Sequence, residues 1–146
     1  MSAEQRAYLD TSALAKWYLN EAGSEAFVAF LQELGAAVIS SLTVTEMRCL
    51  LRRRGRMGDL SVELESVLLA AFLEDIDRGW LQRIPVEDAR FDEATNLIAR
   101  YPEHPLRTLD ALHLTLALQA GVSVVATADG VMAEAATSMG LEVVRF

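Results

Sequence analysis

Cysteine is nearly absent: Cys49 is the single thiol in 146 residues. One thiol excludes an internal disulfide and fits a reducing compartment, so a cytoplasmic location is expected. Cys49 sits among apolar neighbours in a helical stretch, which predicts a buried structural thiol. Long apolar runs are also missing. The longest, Val67 to Leu73, is far too short to span a bilayer, so no membrane segment is expected. The opening Met1 to Ala7 lacks the apolar core of a secretory leader. No glycine-rich phosphate loop is present, which argues against nucleotide hydrolysis of the P-loop kind. The two histidines, His104 and His113, lie far from Cys49 and from one another, so no zinc-ligand spacing exists. Neither has a nucleophile beside it, and His113 reads as a helix residue with a structural hydrogen bond.

What is there is apolar and acidic. The chain is 52% hydrophobic and 23% charged, enough for a real core, and residues 1–146 are expected to form one domain. The net charge of −8 argues against a broad nucleic-acid footprint. A local one stays open. Of thirteen basic residues only Lys16 is lysine, and five arginines (Arg48, Arg52, Arg53, Arg54 and Arg56) fall within nine positions. They fit a basic patch, or equally a solvated helix end where cations oppose the dipole.

Strands and helices alternate along the chain. Tyr8-Leu9 is a short first strand that stops at Asp10 and turns into a helix capped by Ser12. Ser24 caps a second helix to Leu34, and Gly35 ends it. Ala36–Ser40 is strand two. Thr43 opens a helix to about Arg54, and Gly55–Asp59 is a loop. Ser61–Asp77 is a long helix stopped at Gly79. Trp80–Val86 is strand three, placed at a sheet edge by Pro85. Glu87–Arg100 is a helix, and a loop with two prolines follows. Thr108 caps a helix ending at Gly121. Val122–Thr127 is a buried inner strand. Gly130–Met139 is the last helix and Leu141–Arg145 the last strand. This alternation predicts an α/β fold, a parallel sheet with helices on both faces.

Four acids fall near one rim of that sheet. Asp10 ends strand one, Glu46 lies in the first turn of the helix after strand two, Asp110 in the first turn after Thr108, and Asp129 just beyond strand four. Ligands of open parallel sheets sit beyond the carboxyl ends of the strands. Each acid also has a local reading. Asp10 suits a strand-to-helix turn. Thr43-Val44-Thr45-Glu46 fits a capping box. Asp110 suits a helix dipole, and Asp129-Gly130 a turn. Grouped carboxylates repel unless some protonate or a cation joins them, at a cost of about 1 kcal/mol per pair after water screening. On that ground Asp110→Asn and Glu46→Gln are expected to stabilise the metal-free protein. All-oxygen ligands select Mg²⁺ or Mn²⁺ over zinc.

The segments Leu9-Asp10-Thr11-Ser12-Ala13-Leu14, Ser41-Leu42-Thr43-Val44-Thr45-Glu46, Thr108-Leu109-Asp110-Ala111-Leu112-His113-Leu114 and Thr127-Ala128-Asp129 together resemble the PIN-domain ribonucleases. More narrowly, the chain resembles the VapC toxins of toxin–antitoxin pairs. The resemblance implies a three-layer α/β/α fold with a central parallel sheet of about five strands. It implies an Mg²⁺- or Mn²⁺-dependent endoribonuclease, with Asp10, Glu46, Asp110 and Asp129 as catalytic and metal-holding acids. Thr11, Ser12 and Thr127 would support them. On that resemblance a water activated by the metal would attack an RNA phosphodiester in line, leaving 5′-phosphate and 3′-hydroxyl ends. A homodimer and a cognate antitoxin protein are implied as partners. Arg48, Arg52, Arg53 and Arg56 are candidate RNA contacts outside the family motif.

Two alternatives remain at this point. One is another Mg²⁺-dependent phosphoryl-transfer domain, phosphatase or receiver-like. Such phosphatases carry a second acid two residues after the first, where this chain has Ser12, and receivers a lysine near the final strand, where it has none. The other is a non-catalytic PIN-like binding module, which predicts loss of an acid.

Overall fold

The computed structural model describes residues 5–146; the leader reading of the first residues lies partly outside them, at positions 1–4. Strand β1 (Arg6–Leu9) leads into α1 (Thr11–Tyr18) and α2 (Ser24–Glu33). Strand β2 (Ala36–Ser40) is followed by α3 (Ser41–Arg56) and α4 (Val62–Asp77). Strand β3 (Leu81–Ile84) is followed by α5 (Asp88–Arg100) and α6 (Thr108–Gln119). The chain closes with β4 (Val124–Thr127), α7 (Gly130–Ser138) and β5 (Glu142–Arg145). All neighbouring strands pair parallel, in the order β3-β2-β1-β4-β5. The edge position expected for β3 holds, and β4 is an inner strand with all four residues buried.

Strand order reverses at β1. The chain moves outward through β2 to β3, then returns to the other side of β1 for β4 and β5. A crevice opens at such a reversal, beyond the strand ends. Alternating side chains build the two faces. Ala7, Leu9, Ile39 and Ala126 pack with Leu14, Phe27, Met47 and Phe72 under α1–α4. Tyr8, Val38 and Val125 point to the opposite face, against Leu116 and Ala117 of α6. Leu97, Leu112, Met132 and Ala136 join α5, α6 and α7 there. The result is the expected three-layer arrangement.

Several helix boundaries differ from expectation. The first helix is capped by Asp10, whose side chain accepts from the Ala13 amide, while Ser12 lies inside the helix. The third begins at Ser41, with Ser40 as cap and Thr43 closing the box onto the Ser40 amide. That moves Glu46 into the second turn and removes the capping-box reading for it. The same helix runs through Gly55 to Arg56. A side chain at 55 would meet the buried Glu65 carboxylate of α4, because a Cβ there would stand 2.8 Å from Glu65 Oε2. Glycine at 55 is thus a close-approach position rather than a helix stop. Thr108 is the first residue of α6, with Arg107 as cap.

Phe146 closes the structure. Its ring stands edge-on to fully buried Phe27, centroids 5.1 Å apart, and its amide donates to the Thr127 carbonyl at 3.0 Å. Phe27→Ala empties the centre of this contact, so a loss of about 3–5 kcal/mol is expected. Urea unfolding checks it, as a lowered midpoint at unchanged slope.

Candidate active site

The crevice beyond β1 and β4 is a cavity of about 510 Å³. Asp10, Glu46, Asp110 and Asp129 all line it, as do Thr11 and Ser12. The sheet rim brings the four acids to one place, as their positions in the chain predicted.

Asp10 is the most buried of the four, 3% exposed. Its Oδ1 accepts from the Ala13 amide at 2.9 Å and Ser12 Oγ at 2.8 Å; its Oδ2 accepts from Thr127 Oγ1 at 2.6 Å. Burial pushes its carboxyl above the ordinary value, and the donors from Thr127, Ala13 and Ser12 oppose that shift. Thr127 also accepts from the Asp129 amide at 2.9 Å, and Ser12 from the Ala128 amide at 3.0 Å. The two hydroxyls therefore tie the end of β1 to the end of β4.

Glu46 is held differently. Thr11 Oγ1 donates to its Oε1 at 2.8 Å, and His113 Nε2 makes a very short contact with the same oxygen. Burial alone would raise this carboxyl; the hydrogen bond and charge of His113, with Thr11, outweigh it and hold Glu46 below the ordinary value. These local partners favour the ionised form, so Glu46→Gln is expected to destabilise the metal-free protein rather than relieve crowding. Asp110 Oδ2 accepts from the Arg107 amide at 3.1 Å, and Asp129 Oδ2 from the Met132 amide at 2.9 Å. These are helix N-terminal contacts, so the dipole and turn readings of both acids hold alongside their place in the cavity.

The donor set fits a hard cation. Glu46, Asp110 and Asp129 each spend one oxygen on the protein. Their other oxygens, Oε2, Oδ1 and Oδ1, have no protein partner among the described residues. No three His, Cys, Asp or Glu side chains among the described residues stand as a ready-made metal cage. Mg²⁺ does not need one, since it keeps several waters and takes one or two carboxylates directly.

Three residues outside the predicted set of site residues also line the cavity. His113 lines the cavity, touching both Glu46 and, at 2.6 Å, the Tyr8 hydroxyl. Cys49 is exposed and lines the cavity, so the buried-thiol expectation is corrected: α3 turns its Met47 and Leu51 inward and position 49 outward. Arg107, in the loop before α6, lines it too. The arginine cluster divides. Arg52 Nε pairs with Glu65 at 2.7 Å and Arg54 with Glu21 at 2.5 Å. Arg53 alone of the cluster lines the cavity; Arg48 and Arg56 are exposed.

The PIN domain family matches residues 7–137, and the chain belongs to it. It is 36% identical over 115 residues to Ribonuclease VapC49 of Mycobacterium tuberculosis strain H37Rv, covering 78% of this chain and 76% of that protein. Ribonuclease VapC45 of strain CDC 1551 matches over the same extent. Within the PIN family the chain thus groups with the VapC ribonucleases, and the phosphatase and receiver alternatives fall away. Solved structures agree on the fold. Mycobacterium tuberculosis VapC20, a Sarcin-Ricin loop cleaving toxin, superposes with a TM-score of 0.73 at 18% identity, over 96% of this chain and 99% of that one. FitAcB of Neisseria gonorrhoeae gives 0.71 at 21%, over 94% and 95%. Nucleases of the PIN class are generally metal-dependent. No helix of the described residues is long and apolar enough to cross a membrane.

Because Glu46 is held below its ordinary value, its stabilisation is present above the unfolded-state value of about 4.3 and fades as pH falls through the lower folded value. Glu46→Gln should be less stable than the parent at neutral pH, with the gap closing in acid. Urea unfolding of both proteins in EDTA at neutral and acid pH measures it; a gap independent of pH contradicts this assignment.

Proposed function

We propose that the chain is the toxin of a toxin–antitoxin pair, cutting RNA internally with Mg²⁺ or Mn²⁺ held by Asp10, Glu46, Asp110 and Asp129. The observation that carries this reading is the shared cavity in which three of the acids keep one oxygen free of protein partners among the described residues. The four acids are intact, which favours an enzyme over a binding module.

When bound, the cation polarises a phosphoryl oxygen and lowers the pKa of a water. The protein supplies orientation. Ser12 and Thr127 fix Asp10, Thr11 fixes Glu46, and helix N-termini fix Asp110 and Asp129. Arg53 and Arg107 stand on the cavity wall, where guanidinium groups suit RNA phosphates. That gives an acidic protein a local means of holding an anionic strand. Arg52 and Arg54 are occupied by Glu65 and Glu21 and serve the scaffold instead.

Partners follow from the surface. Val62, Leu64, Val67 and Leu73 of α4 are exposed, with Met57 before it and Trp80 after it. Exposed apolar side chains clustered on one helix and its two flanks suit association. Relatives of the same fold were solved as the complexes VapBC2 of Rickettsia felis and FitAB, both with DNA. A homodimer and a bound antitoxin, working where cytoplasmic RNA is found, complete the reading for this single domain.

The chain purified free of antitoxin should cut RNA in Mg²⁺ or Mn²⁺ and lose cutting in EDTA. Asp10→Asn should lower the rate by at least about 100-fold, since it removes a charged ligand from the centre of the site. Equal cutting in EDTA refutes the metal reading. Sedimentation at micromolar concentration should show a dimer, and a Val62→Ser/Val67→Ser variant should shift it toward monomer. A parent that sediments as a monomer refutes the dimer.

A further inference from the structure

Three elements meet behind Glu46. Tyr8 comes from β1, His113 from α6 one turn beyond Asp110, and Glu46 from α3. The Tyr8 hydroxyl stands 2.6 Å from His113 Nδ1 and 3.0 Å from Ser40 Oγ, while Nε2 of the same ring reaches Glu46 Oε1. Tyr8 is fully buried and His113 is 3% exposed.

Packing alone does not call for this line. The neighbours of His113 on α6, Leu112, Leu114 and Leu116, are apolar and buried, and an aliphatic residue at 113 suits such a helix. A buried imidazole costs stability unless both nitrogens find partners. Here both do, and one of the partners is a site carboxylate.

The proton positions follow from chemistry. An ionised carboxylate only accepts, so Nε2 carries a proton whether the ring is neutral or charged. In the neutral ring Nδ1 accepts, and the Tyr8 hydroxyl beside it is the donor when its one proton turns to the ring and Ser40 Oγ donates to Tyr8 in place of accepting from it. Thr11 donates to the same Glu46 oxygen, at 2.8 Å. Both donors sit on Oε1, and Oε2 has no protein partner among the described residues.

We infer that His113 is a positioning residue: it holds Glu46 by one oxygen so that the other meets the cation, and Tyr8 sets the ring's tautomer and angle. The inference rests on the metal-dependent reading above and deepens it. Hydrogen bonds of this outer kind typically govern metal affinity by about 10- to 100-fold.

The test is Mn²⁺ binding by the intact chain, read by calorimetry and by the rise of the melting temperature, with RNA cutting as a separate readout. Glu46→Gln is the reference. His113→Ala should raise the Mn²⁺ Kd by about 10- to 100-fold and regain most of its cutting rate at saturating Mn²⁺. Tyr8→Phe should weaken binding less, in the same direction. His113→Gln, whose amide still donates to Glu46, should recover much of the parent's affinity. A purely structural role gives a different pattern: His113→Ala melts lower in EDTA but binds Mn²⁺ with the parent's Kd, and that overturns the inference. If His113→Ala does not fold, Tyr8→Phe decides, and a parental Kd in that variant overturns it. Failure of the metal reading is distinct. The parent and Glu46→Gln then respond alike to Mn²⁺, and the inference falls with the reading.

Discussion

The structure depends on a carboxylate taken out of water. Asp10 sits at the end of the central strand, almost fully buried, with its charge offset by one helix amide and two hydroxyls. An unpartnered ion there would cost several kcal/mol. Its three donors come from both sides of the strand-order reversal, Ala13 and Ser12 after β1 and Thr127 at the end of β4. Satisfying this one group therefore fixes how the two halves of the sheet meet, and it is the same junction that opens the cavity.

Around that junction the acids are held in two ways. Asp10, Asp110 and Asp129 lean on helix N-termini, whose exposed amides and dipole favour negative charge. Glu46 stands in the second turn of its helix, beyond the free amides, and depends on side chains instead. This explains why it alone recruits a histidine. It also explains the opposed shifts of the two carboxyls, burial raising Asp10 and His113 lowering Glu46.

The succession of strands along the chain and the rim position of Asp10 and Asp129 were legible because strand ends carry a local signature, an apolar run that stops at an acid, whereas the order of strands in the sheet was not. Edge strand β3 was legible from Pro85. Helix starts were less so. Ser40, Ser41 and Thr43 are all good caps, and choosing Thr43 over Ser40 shifted Glu46 by most of a turn. Cys49 reads as buried from its neighbours yet is exposed, since composition does not say which side of a helix faces a cavity. His113 was hidden for a physical reason. Helix α6 is buried continuously from Asp110 to Ala117, so no apolar stripe marks its faces and the sequence period is silent. Its partner Tyr8 is just as silent, a strand aromatic whose hydroxyl matters only once the fold brings α6 across it.

The helix-capping role of three of the four acids has a practical consequence for anyone who needs a harmless version of this chain. Alanine at position 10, 110 or 129 removes the group that holds the start of a helix as well as the charge. Asparagine keeps a carbonyl oxygen that can accept from the Ala13, Arg107 or Met132 amide. A silenced protein built from amides therefore retains the parent's scaffold, whereas one built from alanines confounds lost chemistry with loosened helices.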